Sequence, residues 1–473
     1  MSEASGGIVL ATINAKWIHP SLALRVLKAN LGALEERCAI MEFALRQPLR
    51  EKTEPILAAR PRILGLSVSI WNHAATLELL KELRETWDKE NARPVVVLGG
   101  CEVSHLAADA RVFQYADFCI KGEGEDAFRE LCEKIMLNGN EGCAFDAGCA
   151  FRQADISAIK SGYGLYSLED LRKKLTYVEA SRGCPFSCAF CQSAGGKTRE
   201  FPLEPFLEEM RALVGNEART FKFLDRSFNV NAPRAKCIME FFLAQLEQRA
   251  QRETAPPFTV HFEMVPFLFS RELIETIARF PLGSLRLEIG IQTLNPEVSA
   301  LIGRPAQPEC ELETLRALRR ETSAIIHADL IAGLPGEDMA SFAKGFDMLW
   351  DALCLPASLE PRAPVEVQLG ILKILPGAPI ARRVADFGMC FHPEPPYEIT
   401  QTAALPECDL DRIKNFARFW EIIVNRGLAD IGASPVFEKF MLLSDSLLAR
   451  FGRNWGIDKA HLLEALRDLG FGK

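Results

Sequence analysis

Ala180-Ser181-Arg182-Gly183-Cys184-Pro185-Phe186-Ser187-Cys188-Ala189-Phe190-Cys191 puts three cysteines within eight residues, spaced C-x3-C-x2-C, at the end of an apolar, strand-like run from Leu175 to Glu179. Thiolates on so short a loop can face a common centre. Iron–sulfur cubanes are normally held by four Cys thiolates, so a trio leaves one iron open to another ligand. An open coordination position separates a chemical site from a structural one, by the same logic that governs zinc. The other readings are a zinc site, which usually pairs C-x2-C with a second Cys or His pair, and unconnected free thiols. His261 and His327 are too isolated to form a recognisable second pair.

Outward from this loop, strand-like and helix-like segments alternate. Downstream, to about Pro379, the predicted strands are Thr176–Ala180, Thr220–Leu224, Thr259–Met264, Leu285–Ile291, Ile325–Ile331 and Glu366–Ile374. Helices are expected between them, among others at Pro205–Val214, Ala235–Arg249, Arg271–Phe280 and Met339–Leu353. Six strand–helix units suit a partial barrel, and a barrel keeps its chemistry at the carboxyl ends of its strands, where the cysteine loop sits. Alternate residues of a strand share a face, so Glu288, Gly290 and Gln292 should point together into the barrel. Buried charge is costly unless paired, which suggests ligand hydroxyls as partners.

Upstream, residues 6 to 138 repeat the alternation. Ile8–Ile13 reads as a buried strand, and Ser21 caps an amphipathic helix to about Glu36 with Leu22, Val26 and Leu27 near one face. Strands follow at Ala39–Leu45, Ile63–Ile70, Val95–Leu98 and Phe118–Lys121, with helices at about His73–Glu90 and Glu125–Leu137. That order implies an α/β, doubly wound parallel sheet with ligands beyond the carboxyl ends of its strands. Those ends carry small or polar residues: Asn14 to His19, Ser67 to Asn72, Gly99 to Ser104 and Gly122 to Glu125. Glycines there let a ligand approach the backbone.

The C-x3-C-x2-C loop with Phe190 before its third cysteine resembles that of the radical S-adenosylmethionine (radical SAM) enzymes. Glu288 to Asn295 is similar to that superfamily's Gly-x-Gln-Ser/Thr stretch. Asp329-Leu330-Ile331-Ala332-Gly333-Leu334-Pro335-Gly336-Glu337 closely resembles another of its motifs. The resemblance implies a [4Fe-4S] cluster on Cys184, Cys188 and Cys191, with the amino and carboxylate groups of SAM on the fourth iron. It also implies SAM contacts at Asp225, Glu288, Gln292, Ile331 and Gly333. Asp225 stands where the family often has Gly-Gly-Glu, and an Asp-Arg turn capping a helix is the other reading. Arg304 reads either as a partner of the SAM carboxylate or as an ordinary surface Arg. Lys373 stands out in an apolar strand and suggests contact with substrate or a phosphate.

The N-terminal strand ends resemble the cobalamin-binding domain found ahead of many radical SAM domains. The implied contacts are Ser67, Ser69, Gly99, Gly100, Gly122, Glu123 and Gly124. The Asp-x-His-x-x-Gly motif that supplies an axial histidine is missing, so cobalamin is expected to bind without that ligation. His19, His73 and His105 lie near strand ends, where ordinary polar or capping roles compete with corrin contact. Ser-Ile-Trp-Asn (69–72) and Asp-Arg-Ser-Phe-Asn (225–229) resemble a bacterial subgroup of cobalamin-binding radical SAM proteins.

The expected domains are a cobalamin-binding-like domain at 1–138, a turn-rich connector at 139–172, a radical SAM domain at 173–385 and a mostly helical segment at 386–473. In the last, Trp420, Ile423, Leu442, Leu443 and Leu447 read as core. Composition agrees with a globular chain of 473 residues, 48% hydrophobic and 25% charged. No run approaches the roughly 18 apolar residues of a membrane helix. The N-terminus lacks the pattern of a secretory signal, and a net charge of −8 argues against a chain-wide nucleic-acid surface. With 14 scattered cysteines, reduced thiols in a cytosol are expected, Cys143 and Cys149 among them. The resemblance implies an oxygen-sensitive enzyme that takes electrons from a donor such as flavodoxin or ferredoxin and transfers a methyl group to an unactivated carbon of a small-molecule or unknown substrate. Cyclisation or rearrangement, methylthiotransferase chemistry and a non-catalytic cobalamin or redox sensor stay open as alternatives.

Overall fold

The computed structural model describes residues 6–138, 151–251, 257–354 and 363–471. Cys143 and Cys149 lie outside the described residues. The chain falls into two compact units, residues 1–180 with 199–222, and residues 181–198 with 223–473.

The first unit holds strands β1 (Ile8–Asn14), β2 (Cys38–Ala44), β3 (Ile63–Ser67), β4 (Val95–Gly99) and β5 (Phe118–Cys119). They form one sheet in the order β2-β1-β3-β4-β5, with every pair parallel. Every residue of β1 is buried, as expected of a central strand covered on both faces. Its alternate side chains feed different cores. Val9, Ala11 and Ile13 join Leu79, Leu83 and Trp87, whereas Ile8 and Leu10 join Phe128, Cys132 and Ile135. The doubly wound sheet expected from the sequence is therefore present. The helix Leu49–Ala59 is an addition that the pattern hides, because Pro55 lies inside it. Two strands end earlier than expected, β3 at Ser67 and β5 at Cys119, and the polar backbone beyond them turns.

Next come β6 (Thr176–Val178), the short β7 (Ser181–Arg182) and β8 (Arg199–Glu200), then β9 (Thr220–Phe223), β10 (Thr259–Met264), β11 (Leu285–Gln292), β12 (Ile325–Ala332) and β13 (Val365–Ile371). The second sheet has the order β13-β12-β11-β10-β9-β6, and β10 to β13 pair in parallel. This is the six-stranded partial barrel read from the sequence. Burial alternates residue by residue along β11 and β12, so each strand has one face in the core and one partly open.

The chain ends in β14 (Cys390–Phe391), β15 (Ile399–Gln401) and the helices Glu407–Trp420, Phe437–Phe451 and Lys459–Asp468. Phe346, Phe416, Trp420 and Phe440 are fully buried against one another, with Phe346 and Trp420 edge to face at 4.8 Å. A π-turn at Glu421–Asn425 projects Asn425 onto β13, where it donates to the Val367 carbonyl and accepts the Val367 N–H, both at 3.1 Å. A side-chain amide thus covers a sheet edge. One core assignment is corrected. Leu442 is 66% exposed, because Phe440, Leu443 and Leu447 define the inner stripe of its helix and the next-door position turns outward.

Candidate functional site

The cysteine loop is tied down by backbone bonds that owe nothing to the thiols. Ala189 donates to the Ile302 carbonyl at 2.7 Å, Ile380 donates to the Ala189 carbonyl at 2.8 Å, and Gly195 closes back on Phe186 at 2.8 Å. The Gln192 amide donates to the Pro376 carbonyl at 2.7 Å. Gly183 enters the loop with φ +93°, and a Cβ there would lie 2.3 Å from the Lys197 carbonyl oxygen, so this turn requires glycine. Cys184, Cys188 and Cys191 are free thiols of intermediate burial. Ser227 Oγ lies 3.7 Å from Cys184 Sγ, and the Ser193 N–H points at Cys191 Sγ from 3.4 Å. Burial pushes the Cys188 thiol up and Arg304 pulls against it.

Among the described residues no three His, Cys, Asp or Glu side chains converge on a single ion. A cubane does not require that, because each thiolate reaches a different iron. Three free, half-buried thiols on a pinned loop, with a serine hydroxyl and a guanidinium beside them, fit a cluster with one iron left for another ligand.

The residues expected around SAM divide into two groups. Asp225 is 2% exposed and accepts a 2.6 Å hydrogen bond from Ser181 Oγ, which ties it to the start of the cysteine loop. Arg304 donates to the Gly290 carbonyl at 2.6 Å and faces Glu311 at 3.9 Å. Gln292 sits at a register shift with φ +69°, and its Nε2 lies 2.4 Å from where a Cβ on Gly290 would be. A non-glycine residue held there carries backbone strain of about 1–3 kcal/mol, the kind of cost that marks functional positions. Glu288 shares this face, but its carboxylate lies 3.1 Å from His261 Nε2, an ion-pair partner the sequence did not reveal. Ile331 is partly exposed beside Gly370. At Gly333 (φ +87°) the close approach comes from the chain's own Ile399, whose Cδ1 is 2.0 Å from a built Cβ. Lys373 lies just past β13, exposed, with its backbone bridged to Glu398.

Glu337, which closes the Gly-Leu-Pro-Gly-Glu stretch, is buried and accepts from Thr293 Oγ1 at 2.6 Å. Burial pushes its carboxyl from 4.5 up to about 7. A carboxyl raised in the folded state stabilises fully below its unfolded value, and that stability is lost as pH rises through the folded value. Wild-type protein should therefore lose about 2–3 kcal/mol relative to Glu337→Gln between about pH 4.5 and 7, measured as the difference between their urea midpoints.

In the first unit, the residues expected around cobalamin also divide. Ser67, Ser69, Gly99 and Gly100 gather at the carboxyl ends of β3 and β4. Asn72, fully buried, ties the edge together. It donates to the Ile13 and Ser67 carbonyls at 3.0 and 3.1 Å and accepts the Ser69 N–H at 2.7 Å. Gly100 (φ +105°) packs onto Val68, whose carbonyl oxygen is 2.5 Å from a built Cβ. Trp17 and Trp71, on the loops after β1 and β3, are 55% and 52% exposed. The Lys174 ammonium sits 5.0 Å from the centre of the Trp17 ring. Solvent-exposed indoles and glycine turns, at the point where the strand order reverses, fit a large flat ligand. Gly122, Glu123 and Gly124 also have partners within the chain, and the Gly122 N–H donates to Ser104 Oγ on the loop after β4 at 3.1 Å. The Gly122 Cβ position is 2.4 Å from the Arg152 carbonyl oxygen and that of Gly124 is 3.3 Å from Leu27. The Glu123 carboxylate binds the Ala154 N–H at 2.8 Å and pairs with Arg199. The histidines have ordinary partners: His73 pairs with Glu102 at 3.0 Å, and His19 with the Tyr177 hydroxyl at 2.7 Å. His105 lies against the Phe151 ring at 6.0 Å.

Residues 178–349 match the radical SAM superfamily and residues 8–132 match the B12 binding domain. The chain thus carries a radical SAM domain and a B12-binding domain, and the cofactors these two domains imply are a [4Fe-4S] cluster, SAM and cobalamin. It is 26% identical over 366 residues to the 2-(S-pantetheinyl)-carbapenam-3-carboxylate methyltransferase of Streptantibioticus cattleyicolor, covering 70% of this chain and 50% of that one. It is 28% identical over 266 residues to the tRNA-2-methylthio-N(6)-dimethylallyladenosine synthase of Thermotoga petrophila, covering 55% of this chain and 56% of that one. The chain thus spans about half the length of these curated relatives. In fold it is similar to the cobalamin-dependent S-adenosylmethionine radical enzyme OxsB, with TM-score 0.67 at 14% identity over 99% of this chain and 76% of that one. Among the described residues no helix is long and apolar enough to cross a membrane.

Proposed function

We propose that this chain is a cobalamin-dependent radical SAM methyltransferase that acts on an unactivated carbon of a small-molecule substrate, with reducing electrons from a protein donor such as flavodoxin or ferredoxin. The observation that carries this reading is the union, on one chain, of a pinned three-thiol loop and a glycine-lined sheet edge bearing two solvent-exposed tryptophans. The cofactors supply the reductive cleavage of SAM and the carriage of the methyl group, and the protein orients them and excludes water. Cys184, Cys188 and Cys191 hold the cluster. Asp225 offers a carboxylate to the SAM ammonium, and Arg304 offers a guanidinium to its carboxylate. Gln292 presents an amide to the ribose, and Ile331 an apolar surface to the adenine. Ser67, Ser69, Gly99 and Gly100 leave room for the corrin.

Anaerobic reconstitution with iron, sulfide, SAM and a reductant should yield 5′-deoxyadenosine. Wild-type protein should also retain a corrin absorbance that disappears when residues 1–138 are deleted. Absence of SAM cleavage under several reductants would favour a sensor instead. The match to a tRNA methylthiotransferase supports a second reading. It is disfavoured because residues 8–132 fit a B12-binding domain, and the additional N-terminal cluster cysteines of those relatives were not found in the sequence.

A further inference from the structure

Gln292 owes its place to a strained turn. The Thr293 N–H donates to the Ile291 carbonyl at 2.8 Å, two residues back, with Gln292 between them at φ +69°. That is a γ-turn of the rare, positive-φ kind. It sits at a register shift between two parallel strands, where bulges are uncommon and serve to re-aim a side chain. The turn folds the Gln292 amide back over Gly290, on the partly open face of β11. A conformation of this cost persists only where its surroundings hold it.

The brace behind it is Glu337. Leu334-Pro335-Gly336-Glu337 is a type II turn, with the Glu337 N–H on the Leu334 carbonyl at 3.2 Å, proline second and Gly336 third at φ +79°. This turn delivers the carboxyl to Thr293, whose hydroxyl donates to Glu337 Oε1 at 2.6 Å and accepts the Asn295 N–H at 3.0 Å. Asn295 Nδ2 donates to Ser341 Oγ at 2.8 Å, and Ser341 reaches the same carboxylate oxygen at 3.5 Å. Thr293, Glu337, Ser341 and Asn295 thus close a ring against the second half of the turn.

Packing does not explain a carboxyl in that ring. Glu337 is buried, its Oε2 has no hydrogen-bond partner, and no cation pairs with it among the described residues. A glutamine would fill the same space and bury no uncompensated charge. What a carboxylate adds is strength, since a hydrogen bond to an ionised acceptor is roughly twice as strong as a neutral one. Its contribution is then of the size needed to offset a positive-φ turn.

We propose that Glu337 is a positioning residue for SAM: through the Thr293 hydroxyl it holds the γ-turn that presents the Gln292 amide to the ribose hydroxyls. The proposal rests on the reading of Gln292 as a SAM contact and adds the residue that keeps that contact in place.

Hydrogen exchange of the iron-free full chain reads the turn itself. Glu337→Ala should speed exchange of the Thr293 and Asn295 amides about tenfold or more, with the amides of β10 unchanged. Equilibrium dialysis of cluster-reconstituted protein reads what the turn is for. Glu337→Ala should weaken SAM binding about tenfold and leave binding of 2′,3′-dideoxy-SAM, which lacks the hydroxyls, unchanged. Glu337→Gln keeps an acceptor oxygen and should fall between wild type and Glu337→Ala in both measurements. If Glu337→Ala does not fold, Thr293→Val, which keeps the side-chain shape and removes the hydroxyl, carries the same test. Unchanged exchange, an equal loss of SAM and of the dideoxy analogue, or a glutamine variant no better than alanine overturns the proposal. SAM bound equally by wild type and Glu337→Ala removes this inference alone. Wild-type protein that binds no SAM overturns it together with the reading beneath it.

Discussion

Cys188→Ala, and likewise Cys184→Ala and Cys191→Ala, should leave a folded protein that retains less than about a tenth of the four irons of a cubane and forms no 5′-deoxyadenosine. The fold should survive because the loop is held by its backbone. The bonds from Ala189 to Ile302, from Ile380 to Ala189 and from Gly195 to Phe186 involve no sulfur. Removing a half-buried thiol whose contacts are weak sulfur hydrogen bonds costs roughly 1 kcal/mol, within the ordinary range for single substitutions. The chemical effect is of a different size, since a cluster already short of its fourth protein ligand cannot lose a third. Cys101→Ala and Cys390→Ala, at exposed thiols outside this stretch of sequence, serve as controls that should keep full iron. Iron bound in normal amount after all three loop cysteines are replaced would remove the basis of the assignment.

The parts of this site that could be read from the sequence are those decided by neighbours in the chain. Ile8 to Ile13 is continuously apolar because both faces of a central parallel strand are covered, and that needs no tertiary knowledge to infer. The alternation along Leu285–Gln292 likewise gave the shared face of Glu288, Gly290 and Gln292. The misses are all long-range. Glu288 finds His261 across a strand pair, Glu123 finds Arg199, and Gly333 meets Ile399 instead of open space. No spacing rule carries those partners. Asn72 could have been found. A short amide three residues after a Ser-x-Ser strand end is well suited to bond exposed backbone, and its burial makes it the tie of the whole edge. Leu442 falls on the solvent side of a helix whose neighbours Phe440, Met441 and Leu443 are all buried, and composition alone does not say where that stripe ends.

Gly100→Val should abolish corrin retention and leave cluster iron unchanged. Two costs coincide at this glycine. Its φ of +105° is one that β-branched residues essentially do not adopt, at about 1–3 kcal/mol. A Cβ would also stand 2.5 Å from the Val68 carbonyl oxygen and 2.9 Å from the Val68 nitrogen. Val68 has little room to yield, since its N–H donates to the Gly99 carbonyl at 2.8 Å and its carbonyl accepts from Glu102 at 3.2 Å. Relief must come from moving the Ser67–Asn72 loop, which carries Ser69 and Trp71. A shift costing about 1.4 kcal/mol of binding already weakens retention tenfold. Gly427→Val separates the two costs, because Gly427 has φ +66° but nothing within 4 Å of a built Cβ. It should lower stability through backbone strain alone and keep the corrin. Corrin absorbance and iron content of the two variants, measured on the same preparations, decide the matter: equal corrin loss in both would mean that strain anywhere in the chain is enough, and the β3–β4 edge would no longer be marked as the cobalamin surface.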